Sequence, residues 1–454
     1  GDRRWRVRGL SKASSYESLY INLLVARGEG AFYVDNLEMY SARARETFQK
    51  NAAKELKVEE AVIHQDLGRI FLKLEQLVHE RITQALKADN EPVEMSEKER
   101  ADALLLLKDP HLMERILRDF DQAGVVGEKT NLLVGVLGAV SRKLDAPLAI
   151  VIQSSSAAGK SSLMQAILRM MPPEEVQAFS AMTPQSVYYL GENALQHKVL
   201  AIAEEEGAQS ASYALKLLQS DGLICIASTA KDATTGELRT RTYTVRGPVM
   251  LFLTTTAVDI DPELLNRCII LTVDEGQEQT ARIHARQREA RTLAGLLAKK
   301  RASRIRRLHQ NAQRLLEPLE VVNELATTLS FPTRTTRSRR DHVKLLSLID
   351  AIALLHQFQR PVRERVEDGE RVRYIEVTGA DIETAQRLAT EVLATDDELP
   401  PQTQRLLSMI EEMVAAVAKR DGVEKTAVRF TRRDVRAHTR LSDSSMKRHL
   451  GRLE

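Results

Sequence analysis

The chain has 454 residues, of which 43% are hydrophobic, 28% charged and only 4% aromatic. That length predicts two or three domains, and that composition a globular protein with a sizeable core; the scarcity of aromatics argues against a β-sandwich or an aromatic-rich carbohydrate binder. The formal charge of +3 is unremarkable, no apolar run reaches the length of a membrane span, and the opening residues do not read as a signal peptide.

Residues 1–120 read as a mostly α-helical N-terminal region. The run YSARARETFQKNAAKELKVEEAVIHQDLGRIFLKLEQLVHERITQALK places apolar residues at three- and four-residue steps with charges between them. No catalytic cluster stands out there, so a structural or interdomain role is expected. The polar, proline-containing stretch ADNEPVEMSEK reads as a connector before the next helix pair.

From about residue 121 the pattern changes. PLAIVIQ (147–153), KVLAIAE (198–204) and PVMLFLTTT (248–256) are short apolar runs separated by helical segments, the grammar of a buried parallel sheet with crossover helices. Between the last two, GLICIASTAKDATTGELRTRTYTVRG (222–247) alternates and carries a Thr-Gly turn, which predicts a β-hairpin.

The first apolar run opens a candidate phosphate-binding loop. Ser154, Ser155, Ser156, Ala157, Ala158, Gly159, Lys160, Ser161 and Ser162 follow a strand and lead into a helix, the context that G-x-x-x-x-G-K-[ST] requires. Backbone N–H groups at such a helix start cradle phosphate, the lysine reaches the β and γ phosphates, and Ser161 offers a hydroxyl to Mg²⁺. Ser154 replaces the usual first glycine. It is tolerated if the backbone there keeps φ below zero, because only positive φ calls for glycine.

The second run ends in Glu204, Glu205, Glu206 and Gly207, where a Walker B strand ends in an acidic pair. Glu204 takes the metal role and Glu205 the water-activating one, with Glu206 in reserve because three glutamates leave the register open by one. The third run ends in Thr254, Thr255 and Thr256, between loop and acids, where a hydroxyl can hold the lytic water; Thr256 is the candidate. Arg267, in DPELLNRCIIL, closes a short helix just before another strand. An arginine so placed can point at a neighbouring subunit's phosphate, an effect worth orders of magnitude in hydrolysis. The competing reading is a surface arginine or a local salt bridge.

After 277 the chain reads as helical to about 395. Between 281 and 340, fifteen Lys and Arg face four acids, which points to a polyanion, an acidic partner or a solvated basic helix. TDDELPPQ marks a linker. Residues 400–454 end in a helix, a turn with Ser442 or Asp443 as N-cap, and a basic second helix with Lys447, Arg448 and Arg452, a helix-turn-helix. Cys225 and Cys268 form no C-x-x-C pair, so a reducing cytoplasm without a zinc site is the plain expectation. The chain opens on Gly1 and stops at Glu454, which suggests a fragment of something larger.

The order of loop, acidic strand, hairpin, threonines and LLNR arginine resembles an AAA+ ATPase, in the clade with a β-hairpin before sensor 1 that also holds the minichromosome-maintenance helicases. LLQSDGLICIAS is similar to the approach to that hairpin. QSSSAAGKSSLM, AEEEG, STAKDATTGEL, TTTAVDIDPELLNRC and SRRDHVKLLSLIDAIALLHQFQR are similar to the helicase half of primase–helicase proteins of bacterial mobile elements and prophages. The resemblance spans roughly the whole chain, is strongest over 125–360, and implies that serine is normal at the first loop position. There is little room before the acidic strand for the second insertion hairpin of the minichromosome-maintenance helicases.

The resemblance implies an α/β P-loop AAA+ core with helical lid over 121–395, a C-terminal winged helix that stops where a wing would begin, ATP and Mg²⁺ as ligands, and a hexameric ring acting on single-stranded or forked DNA. A primase domain or partner would accompany it. It also implies a sensor-2 arginine from RTTRSRRDH, with Arg340 first, Arg339 second and Arg334 and Arg337 behind. Lys231 at the hairpin, with Arg239 and Arg241 on the return strand, is expected to hold DNA phosphate, and Lys447 and Arg448 are expected to contact DNA. The alternatives are an ATP-regulated DNA-binding regulator and a remodeller of protein partners.

Overall fold

The computed structural model describes residues 2–10, 19–28, 30–88, 94–180, 186–203, 205–231, 238–256, 262–331, 333, 337–367, 369–393, 401–439, 446, 449–451 and 453. The chain divides into two compact units, Gly1–Glu94 and Met95–Glu454.

In the first unit, strands β1 (Arg3–Arg8), β2 (Tyr20–Arg27) and β3 (Ala31–Glu38) form an antiparallel sheet in that order, followed by helices α1 (Ala42–Leu56) and α2 (Glu60–Ala88). The expectation of a mostly helical region is corrected here: its first forty residues are a sheet. The reason is a period of two. In RRWRVR, Trp5 and Val7 alternate with exposed arginines, and in β2 Ile21, Leu23 and Val25 are buried on one face. That face packs on Phe48, Ala52 and Leu56 of α1 and on Ile63 and Leu67 of α2. Asp66 of α2 accepts from Arg3 Nε at 2.7 Å and from Trp5 Nε1 at 3.4 Å. Burial works to raise its carboxyl, but the Arg3 guanidinium outweighs burial and holds it below the ordinary carboxylate value.

Helices α3 (Glu97–Leu107) and α4 (Leu112–Gln122) belong to the second unit, so the boundary falls near 94 instead of 120. Ser96 and Glu99 close a capping box that starts α3 immediately after it. Leu106, Leu107, Ile116 and Phe120 then bury their side chains in the main core beside helix α5 (Lys129–Val140).

The rest of that core follows in chain order: β4 (Ala149–Gln153), α6 (Lys160–Leu168), β5 (Val176–Phe179), β6 (Lys198–Ala203), α7 (Glu205–Asp221), β7 (Leu223–Lys231), β8 (Leu238–Arg246), β9 (Val249–Thr255), α8 (Pro262–Arg267) and β10 (Ile269–Leu271). Five of these strands form one parallel sheet in the order β10-β4-β9-β6-β5. Every residue of β4 and β9 is buried, as the unbroken apolar runs require of a sheet covered on both faces. Ile150, Ile152, Met250 and Phe252 face α5 and α6, while Val151, Leu251 and Leu253 face α7 and the base of the hairpin at Ile224 and Val245. A Cβ on Gly138 of α5 would come within 2.5 Å of Ile150 Cδ1 and 2.9 Å of Met250 Cε, so glycine there lets the helix lie close on the sheet.

The hairpin is formed as expected, with β7 and β8 antiparallel from Leu223↔Arg246 to Lys231↔Leu238; its turn lies outside the described residues. Beyond the sheet come α9 (Gln277–Glu289), α10 (Leu293–Leu315), β11 (Glu320–Val322), α11 (Ser338–Leu355), β12 (Arg363–Glu367), β13 (Glu370–Glu376) and α12 (Gly379–Val392). The all-helical expectation for 277–395 therefore misses a three-stranded sheet, β11-β13-β12. RERVEDGERVRYIE alternates around an Asp-Gly pair, and Gly369 has φ +85°, the left-handed geometry such a turn demands. Helices α13 (Pro401–Asp421) and α14 (Arg432–Thr439) enclose a small apolar cluster of Leu406, Ile410, Met413, Val435 and Met446. Ser442, Asp443, Lys447, Arg448 and Arg452 lie outside the described residues. Among the described residues, no helix is long and apolar enough to cross a membrane.

Asp350 sits in α11 between the core residues Ile349 and Ala351, and burial pushes its carboxyl up to about 6. A carboxyl raised in the folded state binds its proton more tightly folded than unfolded, so its contribution to stability is present below the ordinary value of 3.8 and is lost as pH rises towards 6. Asp350→Asn is expected to raise stability at pH 8 by on the order of 2 kcal/mol. Thermal unfolding across the pH range checks this: the gain should shrink steadily as the solution is acidified towards pH 4, and a gain independent of pH would refute it.

Candidate functional site

The loop leaves β4 at its carboxyl end. Ser154 is 1% exposed, and its Oγ accepts from the backbone N–H of Val273 at 2.8 Å, which ties the start of the loop to the chain just beyond β10. Left-handed φ falls on Ala157 (64°) and Gly159 (101°) and not on Ser154. Serine is therefore accommodated at the first position because its backbone needs no glycine and its hydroxyl serves as a clip. Glycine is required at Gly159, whose φ lies beyond what side-chain-bearing residues tolerate, and Ala157 carries roughly 1 kcal/mol of strain.

Lys160 opens α6 and is 8% exposed; its Nζ donates to Ser154 O at 3.0 Å and Ser155 O at 2.6 Å. A carboxylate also holds the loop. Glu275 Oε1 accepts from Ser155 N–H at 2.9 Å and its Oε2 from Ser155 Oγ at 2.9 Å. These donors are of the kind that a phosphate would use.

Sheet register aligns the other candidates with the loop. Ala203 at the end of β6 stands opposite Thr254 of β9, which stands opposite Ile152 of β4, while Thr255 stands opposite Gln153. The three strands thus deliver loop, threonines and acids to one edge of the sheet. Carboxyl ends flanking a change of strand direction are where open α/β sheets bind ligands, and β4 lies at such a point because the β9-to-β10 connection crosses over it. Thr254 and Thr255 are buried, and Thr256 is exposed at the edge. Glu205 is the first residue of α7, directly beyond this edge; Glu204 lies outside the described residues, as do the side chains of Glu205 and Glu206.

A cavity of about 520 Å³ opens beside the loop, lined by Ala157, Ala158 and Gly159 and by Ser162 and Leu163 of α6. Its far walls, Val125 and Val126 before α5 and Gln279 and Ile283 of α9, were not foreseen from sequence. A local signal existed: Gly124 and Gly127 flank the two valines and have φ +95° and +68°, a tight turn between helices. Glu128 fixes this wall, its Oε1 accepting from Asp274 N–H at 2.8 Å, while Asn131 Nδ2 donates to Thr272 O at 2.8 Å. Assigning α9 to the wall requires the long-range fold.

Arg267 does not reach this cavity. Its Nη2 donates to Glu263 Oε1 at 2.7 Å and its Nη1 to Lys216 O at 3.2 Å, so within the chain it forms the local salt bridge that competed with the outward-pointing reading. Arg340, expected to serve the nucleotide from the lid, does not line the loop cavity either. It lies 3.5 Å from Glu263 O and, with Arg267 and Lys344, lines a second cavity of about 400 Å³ at Ala149, the opposite end of β4 from the loop. Burial outweighs Asp341, which pairs with Lys344 Nζ at 2.9 Å, and lowers the lysine below its ordinary value. Arg337 pairs with Asp341 at 3.4 Å, and Arg334 is outside the described residues. Ser161 is half-buried and Ser162 exposed at the first turn of α6. Lys231 ends β7, and Arg239 and Arg241 stand opposite Ala230 and Ser228 on β8; their side chains are not described. Cys225 and Cys268 are free, and burial pushes the Cys268 thiol up to about 12.

A family model described as the MTBMA_p00010 P-loop domain matches residues 94–307. That span begins at the unit boundary and covers α3 through the middle of α10. No curated protein matches the chain. Loop, parallel sheet and flanking helices make this an α/β P-loop core of the nucleotide-binding NTPase kind.

With the loop identified, Glu275 becomes a competitor of phosphate for Ser155. Glu275→Gln is expected to tighten binding of a nucleoside triphosphate up to about tenfold, equivalent to about 1.4 kcal/mol, by removing a like charge. Titration with a fluorescent nucleotide measures this. Weaker binding would show instead that Glu275 holds the loop in its working form.

Proposed function

We propose that the chain is the motor of a ATP-driven, ring-forming DNA helicase of a mobile-element or prophage replication system. The observation that carries the reading is the separation of the two cavities: the phosphate loop lines one, and Arg267 and Arg340 line another at the opposite end of β4. Arginines placed away from their own loop are suited to complete a neighbour's site, which calls for a head-to-tail ring. The hairpin between β6 and β9 supports the same reading, because it stands where the resembling helicases carry their DNA-gripping element.

In this reading Ser155 to Ser162 cradle the triphosphate on the first turn of α6, and Lys160 exchanges its two carbonyl partners for phosphate oxygens. The hydroxyl of Ser161 and the carboxylate of Glu204 would hold Mg²⁺, which when bound neutralises phosphate charge. Glu205 takes the proton of the attacking water and Thr256 orients that water from the adjacent strand end. Arg267 of the next subunit stabilises charge on the transferred phosphoryl group, assisted by Arg340. Lys231, Arg239 and Arg241 hold the DNA backbone, and hydrolysis moves the hairpin that carries them.

Strand displacement on a forked duplex tests the function, with Glu205→Gln as control. ATP-dependent displacement lost in the control is expected. Sequence-specific binding without displacement would favour a DNA-binding regulator, and release of a protein partner without displacement would favour a remodeller. Mixing Lys160→Ala with Arg267→Ala chains separately tests the shared site: partial recovery of hydrolysis is expected, and none means that each site is complete within one chain.

A further inference from the structure

We infer that the exposed cationic face of α10 is a second, sequence-independent nucleic-acid site, formed by Lys299, Lys300, Arg301 and Arg304 and separate from the hairpin. From Ala290 to Leu316 the chain has no acidic residue and eight Lys and Arg. Lys299, Lys300, Arg301 and Arg304 are all exposed, and none forms an ion pair with a described carboxylate. By contrast, Arg307 is neutralised by Glu99 at 2.5 Å and Arg314 by Glu174 at 2.6 Å. The uncompensated charge is therefore confined to one stretch of the helix.

Tertiary structure enlarges the patch. Arg169, which caps the end of α6, faces Arg306; Gln310 Nε2 donates to Arg169 O at 3.0 Å and joins the two elements. Burial, and then the like charge of Arg169, lower Arg306 below its ordinary value. Two guanidinium groups held together without a carboxylate between them constitute a standing electrostatic cost, which a polyanion relieves. From Lys299 to Arg307 the helix rises about 12 Å, a length over which one B-form strand carries about three to four phosphates. Arg169 and Arg306 also line the cavity beside the loop, so the cationic face ends at the nucleotide.

Leu293, Leu296 and Leu297 are exposed at the start of α10, and a basic helix with leucines can also lie on a membrane. Such a helix needs a continuous apolar face opposite its charges. Here the opposite face, with Ala302, His309 and Ala312, is buried in the protein, where α10 packs on α3 and α4. The partner that fits is therefore a phosphodiester backbone.

Fluorescence anisotropy with a labelled single-stranded oligothymidine, measured over a range of salt, tests the site. Lys299→Glu/Lys300→Glu/Arg304→Glu is expected to lower affinity roughly tenfold or more and to reduce the salt slope by about 2. Lys299→Arg/Lys300→Arg/Arg304→Lys keeps the charge and should keep the affinity. Thermal unfolding of both variants controls for folding. Unchanged affinity in the charge-reversed chain overturns the inference, as does equal loss in the charge-preserving one. Preference for phosphatidylserine vesicles or poly-glutamate over the oligonucleotide also overturns it. Charge-dependent oligothymidine binding without any strand displacement would leave this site standing and sink the helicase reading alone.

Discussion

Lys160→Ala is expected to reduce nucleoside triphosphate hydrolysis by roughly 10²–10³-fold, the cost of removing one preorganised charge from the site of phosphoryl transfer. The ammonium is nearly buried and is held by two carbonyls of the loop itself, at 2.6 and 3.0 Å, so it stands within the cradle before any phosphate arrives. Its loss should leave the fold intact, because β4 and α6 are held by the apolar core around Ile150, Ile152, Leu163 and Ile167. Lys160→Arg should not rescue activity, since a planar fork cannot replace a compact point charge under a tight loop. Steady-state hydrolysis together with thermal unfolding decides the matter. Retained turnover would remove Lys160 from the site, and loss of turnover accompanied by unfolding would make its role structural.

The second large effect concerns a charge with no access to water. Arg142 is 0% exposed; its Nε donates to Glu175 Oε2 at 2.8 Å, its Nη1 to Ala139 O at 2.7 Å and to Gln313 Oε1 at 3.0 Å, and its Nη2 also bonds Glu175. It therefore ties the end of α5 to the segment before β5 and to α10. Burial works to raise Glu175, but Arg142 and Lys143 outweigh it and hold the carboxyl below its ordinary value. That contribution is present above the unfolded carboxylate value and is lost as pH falls through the lowered one. Arg142→Ala is expected to cost about 3–5 kcal/mol, because Glu175 and two amide acceptors lose their partner while remaining mostly buried. Arg142→Met/Glu175→Gln should cost less than Arg142→Ala. Urea unfolding of the set measures both, and a single-variant loss under about 1 kcal/mol would refute the assignment.

Much of the site was legible because its signals are local. Lys160 and Gly159 are adjacent in sequence, and a loop between an apolar run and a helix has little freedom to be anything else. The threonines and acids were legible for a related reason: each closes an apolar run, and parallel strands bring their ends to one edge. Arg267 and Arg340 were legible as candidates only. Their shared cavity depends on α8 and α11 meeting, which no local pattern encodes. The missed sheets at 3–38 and 320–376 have another cause. There, arginine and glutamate alternate with apolar residues, and charge density drew the reading to helix although the period was two.

The sequence by itself determined the parts whose physics is short-range: the phosphate loop, the buried parallel strands, the hairpin and the acid-free run of α10. Backbone geometry and solvent exposure follow there from neighbouring residues. Only the tertiary structure decided why Ser154 is acceptable, since its partner Val273 is more than a hundred residues away. It also decided that Glu275 holds the loop, that α9 walls the cavity, and that Arg169 joins the cations of α10. Each of these is a contact between groups remote in the chain, whose energy depends on distances that only packing establishes.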